Sequence, residues 1–220
     1  MDWWGLDREL FRAIHLYCRA PWLDPIMALF SFSGVGIVHV GALLCASARN
    51  QRLWFWVAVA LVVCAVTVVG AKTGDQWVEL GVFLVLLRMF WWLEIKVAIE
   101  GIAAFLLSGG FHLILKAITQ RVRPSNFIWA SPMESVYTTP SFPSGHATTA
   151  VAIGTIIYMS YPRQWQGWVA LSWGLIVAVS RIYVGVHWPS DVLAGLGLGV
   201  AAAAAVKILS AHREGCTIEE

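Results

Sequence analysis

Charge is what this sequence has least of. Fifteen Lys and Arg and thirteen Asp and Glu make up 13% of its 220 residues, about half the share of an ordinary soluble domain, while 59% are hydrophobic. The formal charge of +2 is too small for a nucleic-acid partner, and no basic run of the kind that binds one occurs. Four cysteines form no CxxC pair, no zinc spacing and no disulfide framework; Cys45 and Cys64 lie inside apolar runs, and Cys18 and Cys216 are isolated. Internal repeats and low-complexity linkers are missing, so 1–220 reads as a single membrane domain. The opening MDWWGLDREL carries no basic leader and no small-residue cleavage site, and insertion is expected to rely on the spans themselves.

What is present is a series of apolar runs long enough to cross about 30 Å of hydrocarbon as helices. They are unbroken rather than alternating, which selects helices over a barrel. Candidate spans fall at 23–47, 53–71, 98–118, 145–161, 165–184 and 189–209. The segment 77–95 is short, interrupted by Arg88 and flanked by Glu79 and Glu94, and reads as either a seventh span or an interfacial helix. Residues 6–19 place Leu6, Leu10, Ile14 and Tyr17 on one stripe and Arg8, Arg12, His15 and Arg19 on another, an amphipathic helix suited to the interface. The expected fold is therefore all-α: a polytopic bundle of six core transmembrane helices, with 77–95 open as a seventh and an N-terminal interfacial helix. Six spans with a cytoplasmic N-terminus put Arg8, Arg12, Arg19, Lys72, Arg88, Lys96, Arg163, Lys207 and Arg213 inside and Arg49, Arg52 and Arg121 outside, as the distribution of Lys and Arg favours. Seven spans put the N-terminus outside with a weaker charge bias and leave everything from Lys116 onward in the same orientation. Most of the thirteen tryptophans stand near span ends, where indoles anchor at the headgroups. Gly195-x-x-x-Gly199 and the alanines after it predict close helix packing.

Polar residues gather at three span ends: Lys116 to Pro124, Pro143-Ser144-Gly145-His146, and Ser180 to Asp191. Alternating spans bring all three to one face of the membrane. Lys116 and Arg123 are seven residues apart, about two turns, and would project to one side if the helix continues to Pro124. Read alone, they are a pair of snorkelling cations with a proline stop. Pro143-Ser144-Gly145-His146 precedes an apolar run, so Ser144 stands at a helix N-terminus whose free N–H groups and dipole favour an anion. Gly145 lets the backbone approach; read alone, this is a serine cap with an incidental histidine. His187 and Asp191 stand four apart across Trp188-Pro189, within reach for the carboxylate to fix the imidazole tautomer and free the other nitrogen as a nucleophile. Arg181 offers a planar fork to phosphate oxygens. This inventory suits phosphoryl transfer: cations take the charge spreading over the transferred group, His187 attacks phosphorus, and His146 protonates the leaving oxygen and then activates water. His112, one turn before Lys116, reads as a packing histidine, as does His39; His15 and His212 read as solvent or interface residues.

At these positions the chain resembles the type 2 phosphatidic acid phosphatase superfamily of membrane lipid phosphatases, with a haloperoxidase-like site. Its signatures KxxxxxxRP, PSGH and SRxxxxxHxxxD occur complete at 116–124, 143–146 and 180–191, eleven specified positions in order. The resemblance covers roughly 100–210, with the catalytic part at 98–210. It implies Lys116, Arg123, Ser144, Gly145 and Arg181 on phosphate, His146 as acid, His187 as nucleophile and Asp191 orienting it. It implies metal-independent hydrolysis of a lipid phosphate or diphosphate, such as undecaprenyl diphosphate, phosphatidylglycerol phosphate or phosphatidate, with no cofactor and with membrane lipids as surroundings. The expected location is a bacterial inner membrane with the site facing the periplasm or exterior. A phosphotransferase passing the group to a lipid or sugar hydroxyl is the alternative; a vanadium haloperoxidase and a non-enzymatic lipid-binding scaffold are further readings. The loop 124–143, with four prolines and Phe127, Ile128 and Trp129, is expected to cover the site.

Overall fold

In the computed structural model the described residues are 3–35, 39–43, scattered positions between 81 and 87, 92–127, 129–134 and 137–216. The span expected at 53–71, the turn at Arg49–Arg52, most of 77–95 and Ile128 lie outside them. The described residues are all helical or irregular. Helix α1 covers Trp3–Arg12 and runs on as a π-turn at Ala13–Tyr17; α2 is Asp24–Ser33, α3 Ile95–Thr119, α4 Gly145–Ser160, α5 Trp165–Tyr183 and α6 Pro189–Cys216.

The breaks follow local chemistry. Pro189 stands in the first turn of α6, where its missing N–H costs nothing, and Gln120 ends α3 in the left-handed region at φ 45°. At about 1.5 Å per residue, α3 and α6, with 25 and 28 residues, run about 38 and 42 Å. Each contains a stretch long and apolar enough to cross a membrane. The outward faces of α3, α5 and α6 expose Leu106, Leu113, Ile118, Leu175, Val179, Leu193, Ile208 and Leu209. Water disfavours such a continuous apolar surface, and lipid accepts it.

Helix α4 is the axis of the bundle. Ala147 to Ile157 are buried without a break, and α4 packs on α3, α5 and α6. Small residues make that possible: a Cβ at Gly195 would stand 2.8 Å from the Ser144 carbonyl oxygen and one at Gly199 2.7 Å from that of Thr148. The close packing expected of Gly195-x-x-x-Gly199 is thus against α4.

Two readings of the N-terminus bear on the fold, one of which the structure corrects. The buried side of α1 and its π-turn is Asp7, Phe11 and His15, while Leu6, Leu10 and Tyr17 are exposed. His15, expected at solvent or interface, is fully buried, and its Nδ1 donates at 2.7 Å to the Tyr183 carbonyl. It fills the space left by Gly185, whose φ of +86° suits glycine and where a Cβ would come within 2.6 Å of the imidazole. The second concerns topology. The N–H of Ser190, in the first turn of α6, donates to Asp7, and Tyr183, at the end of α5, donates to Asp24 at the start of α2. The N-terminal segment therefore lies at the same end of the bundle as the three polar clusters, where the six-span arrangement had put Arg8, Arg12 and Arg19 at the other.

Candidate active site

The third cluster supplies the geometric centre. His187 lies in the turn between α5 and α6, and Asp191 in the first turn of α6. Both are buried, and Nδ1 of His187 stands 3.4 Å from Oδ2 of Asp191. The same carboxylate accepts the Trp188 N–H at 2.9 Å and the Ser141 hydroxyl on Oδ2, and Arg121 Nη1 at 2.5 Å on Oδ1. A carboxylate met by this many donors is fixed in rotamer, so Nδ1–H of His187 has a defined acceptor. Nε2 is then the unprotonated nitrogen, and it accepts from Arg123 Nη1 at 3.0 Å. Burial, and after it the charges of Arg123 and Arg181, hold the His187 imidazole well below its ordinary pKa. It is neutral at physiological pH, as a nucleophile must be.

Arg123 reaches this point by a route the sequence did not suggest. The helix does not continue to Pro124: it stops at Thr119, and Arg123 sits in extended backbone at φ −76°, ψ 151°. Lys116 and Arg123 thus come from a helix face and a loop, not from one face. The Arg123 guanidinium is buried, donating from Nε to Thr139 O at 2.9 Å, from Nη1 to Val186 O at 3.1 Å and from Nη2 to Thr139 Oγ1 at 3.2 Å. The loop 124–143 folds over it, with the Tyr137 ring 4.7 Å from the guanidinium. Phe127 and Trp129 pack against Trp188, and Trp129 also against Phe11.

Arg181, at the end of α5, is likewise buried, and Glu134 of the loop meets its Nη1 at 2.9 Å beside the Ser31 hydroxyl. Its Nε is buried with no partner among the described residues, so Nη1 anchors the fork and Nε is left for a ligand. Ser144 N-caps α4 without using its hydroxyl: Oγ is also buried with no partner among the described residues, while the Ser144 N–H donates to the Asp191 carbonyl at 3.0 Å. Gly145 follows, and a Cβ there would meet His112 Nε2 at 2.9 Å. The vacant donors of Arg181 and Ser144 and the opening N–H groups of α4 are the features an oxyanion would satisfy.

On the other side of Gly145 a cavity of about 470 Å³ is lined by His146, His112, Gly34, Phe105, Gly109 and Leu113, among others. Its outer wall is apolar and belongs to the exposed side of α3. His112, expected as a packing residue, faces this cavity, with Nε2 buried and unpartnered among the described residues. His39 does pack as expected, against Trp173 at 4.7 Å. Hydrogen bonds join Arg123, His187, Asp191 and Ser144 from the three clusters, and add Arg121, Ser141 and Asp7 around Asp191 and Glu134 and Ser31 on Arg181, none of which the signatures name. Glu134 had a legible signal as the sole acid between 124 and 143; Asp7 had none.

An undecaprenyl-diphosphatase of Sulfolobus acidocaldarius is 33% identical over 105 residues, 47% of this chain and 50% of that protein. A lipid A 1-phosphatase of Rhizobium etli is 34% identical over 97 residues, 42% and 41% of the two chains. The chain thus spans half or less of these curated relatives. Phosphatidylglycerophosphatase B of Bacillus subtilis is 27% identical over 196 residues, 83% of this chain and 72% of that one. The fold is similar to two crystal structures. One is a transmembrane PAP2 type phosphatidylglycerolphosphate phosphatase from Bacillus subtilis (TM-score 0.57, 23% identity, covering 95% of this chain and 86% of that one). The other is Aquifex aeolicus LpxE (TM-score 0.59, 20% identity, 91% and 94%). With the PAP2 superfamily pattern matching residues 98–214, more than half of the chain and all three polar clusters, this protein belongs to the PAP2 superfamily.

Proposed function

We propose that this chain is a membrane-embedded phosphatase that hydrolyses a lipid phosphate or diphosphate through a phosphohistidine, without a metal. The observation that carries the reading is the His187 imidazole, with Nδ1 turned to Asp191 and Nε2 turned to Arg123 at the point where the cations converge. In the first step Nε2 of His187 bonds to the terminal phosphorus as its bond to the leaving oxygen breaks, that of the lipid in a monophosphate or the bridging oxygen in a diphosphate, and His146 gives that oxygen its proton. In the second, water attacks phosphorus, His146 takes a proton from it, the N–P bond breaks and phosphate leaves. Lys116, Arg123 and Arg181, with Ser144 Oγ and the N-terminus of α4 around Gly145, hold the non-bridging oxygens. The cavity beside His146 takes the lipid portion of the leaving group, because its apolar wall opens towards the lipid-facing side of α3. Relatives named for undecaprenyl diphosphate, lipid A and phosphatidylglycerophosphate support a lipid as that portion.

The catalytic end is assigned to the periplasmic or outer side, with seven crossings and the N-terminus on that same side. The seven-crossing count is supported by α1 lying beside the start of α6, and the orientation by Arg163, Lys207 and Arg213 near the other end. Detergent-purified protein should release phosphate from lipid phosphates in excess chelator, and His187→Ala should abolish release. A requirement for divalent metal, or release that survives His187→Ala, would overturn the mechanism.

A further inference from the structure

The hydrogen bonds of Asp191 lead out of the signature residues into the N-terminal helix. Arg121 Nη1 donates to Asp191 Oδ1 at 2.5 Å, and its other arm, Nη2, donates to Asp7 Oδ2, also at 2.5 Å. Asp7 is 4% exposed. It also accepts the Ser190 N–H on Oδ1 at 2.9 Å and the Ser190 hydroxyl on Oδ2 at 2.7 Å, while that hydroxyl oxygen accepts from Arg121 at 2.6 Å. Trp4, from α1, lies 4.6 Å from the Arg121 guanidinium and Trp188 lies 5.7 Å from it.

Two physical consequences follow. Asp7 does for α6 what an N-cap residue does, taking a first-turn N–H, but it does so from 183 positions away in the chain. The capped residue, Ser190, directly precedes Asp191. Arg121, for its part, is a nearly buried cation between two nearly buried carboxylates, and a guanidinium with both arms engaged has a single orientation. Removing Asp7 leaves Arg121 free to swing, and the Asp191 carboxylate loses the partner that sets Oδ1. The His187 contact is the longest at that carboxylate, 3.4 Å, so it is the one a small rotation of Asp191 would disturb first.

On the reading that His187 is the nucleophile, we propose that Arg121 and Asp7 are positioning residues for Asp191, which makes the N-terminal helix a working part of the catalytic end. They act only through the carboxylate and touch no reacting atom. The requirement on α1 is for an acid at position 7 and a tryptophan over the guanidinium; a general amphipathic character is not enough.

The test is a double-mutant cycle on purified full-length protein, with phosphatidate in detergent micelles and radiolabelled phosphate release as readout. Asp7→Ala should lower kcat tenfold to a hundredfold with KM changed less than threefold, and Asp7→Asn, which keeps one acceptor for the Ser190 N–H, should lose less. In an Asp191→Asn background, where there is no ionised carboxylate to position, Asp7→Ala should cost less than twofold further. Arg121→Lys should show the same dependence on Asp191. A penalty of equal size in both backgrounds, a loss confined to KM, or full kcat in Asp7→Ala would each overturn the proposal. Should Asp7→Ala not fold, as read by thermal unfolding, Asp7→Asn and Arg121→Lys carry the cycle. Failure of the underlying mechanism looks different, since His187→Ala would then retain activity whatever stands at position 7.

Discussion

Glu134→Ala isolates the worth of the buried pair that holds Arg181. The Arg181 side chain is 2% exposed and that of Glu134 7%, with Nη1 to Oε1 at 2.9 Å. Deleting the carboxylate strands a guanidinium whose Nε already has no partner among the described residues. Breaking such a buried pair costs about 3–5 kcal/mol, and at roughly 2–4 °C per kcal/mol for a chain of this size the Tm should fall by about 6–20 °C. Removing both charges together, as Glu134→Leu with Arg181→Met, should recover most of the loss, because neither ion is then buried alone. The double variant should still release no phosphate, since the fork that faces the anion is gone. Acidification provides a second arm. Burial pushes the Glu134 carboxyl up, but Arg181 and the hydrogen bonds from Ser31 and Tyr137 outweigh it and hold the group below its ordinary value. The folded state therefore binds this proton more weakly than the unfolded chain. The stabilisation is complete above the ordinary glutamate value of about 4.3 and is lost as pH falls through the lower folded value. The Tm gap between the native protein and Glu134→Ala, measured by thermal unfolding in detergent, should accordingly shrink below about pH 4. A gap under about 2 °C at pH 7, or a double variant no more stable than Glu134→Ala, would refute the reasoning.

Two further outcomes are expected. Gly109 and Gly110 border the cavity beside His146 with no described residue within 4 Å of an added Cβ, so Gly110→Leu would fill that space without straining the helix. It should reduce kcat/KM for long-chain lipid phosphates relative to a short-chain soluble ester by about tenfold or more, and an unchanged ratio would place the lipid elsewhere. Cys18 is exposed and lies at the catalytic end, just before Arg19, which bonds to the Ser131 carbonyl. In a variant whose other cysteines are serine, a membrane-impermeant maleimide should label Cys18 on intact cells; labelling only after lysis would invert the orientation.

The four helices that carry the site were legible because their signals are local. Expected spans at 98–118, 145–161, 165–184 and 189–209 match α3 to α6 to within a few residues at most ends, since apolar runs and Pro, Gly or polar breaks act on neighbours in sequence. Arg123 was assigned to a continued helix because spacing of seven suits one. What ends α3 early is the left-handed Gln120 and the pull of the loop, whose Thr139 carbonyl accepts from Arg123. His112 was assigned to packing because a lone histidine on an apolar helix usually packs. The cavity against His146, which gives it another role, is made by three separate elements.

The sequence by itself determined the membrane character, the helical class, and a phosphate-handling set of three signatures at span ends, because composition, periodicity and motif spacing are properties of neighbouring residues. Only the tertiary structure decided which charges neutralise which. Arg181 answers to Glu134, 47 positions back in the chain, and Arg121 to Asp7, 114 positions away. A buried ion must find its counterion wherever the fold puts one, since water is absent to do the work, and no local pattern records that choice. For the same reason the N-terminal helix reads in sequence as a surface element, while in the fold its Asp7 caps the helix start that carries Asp191.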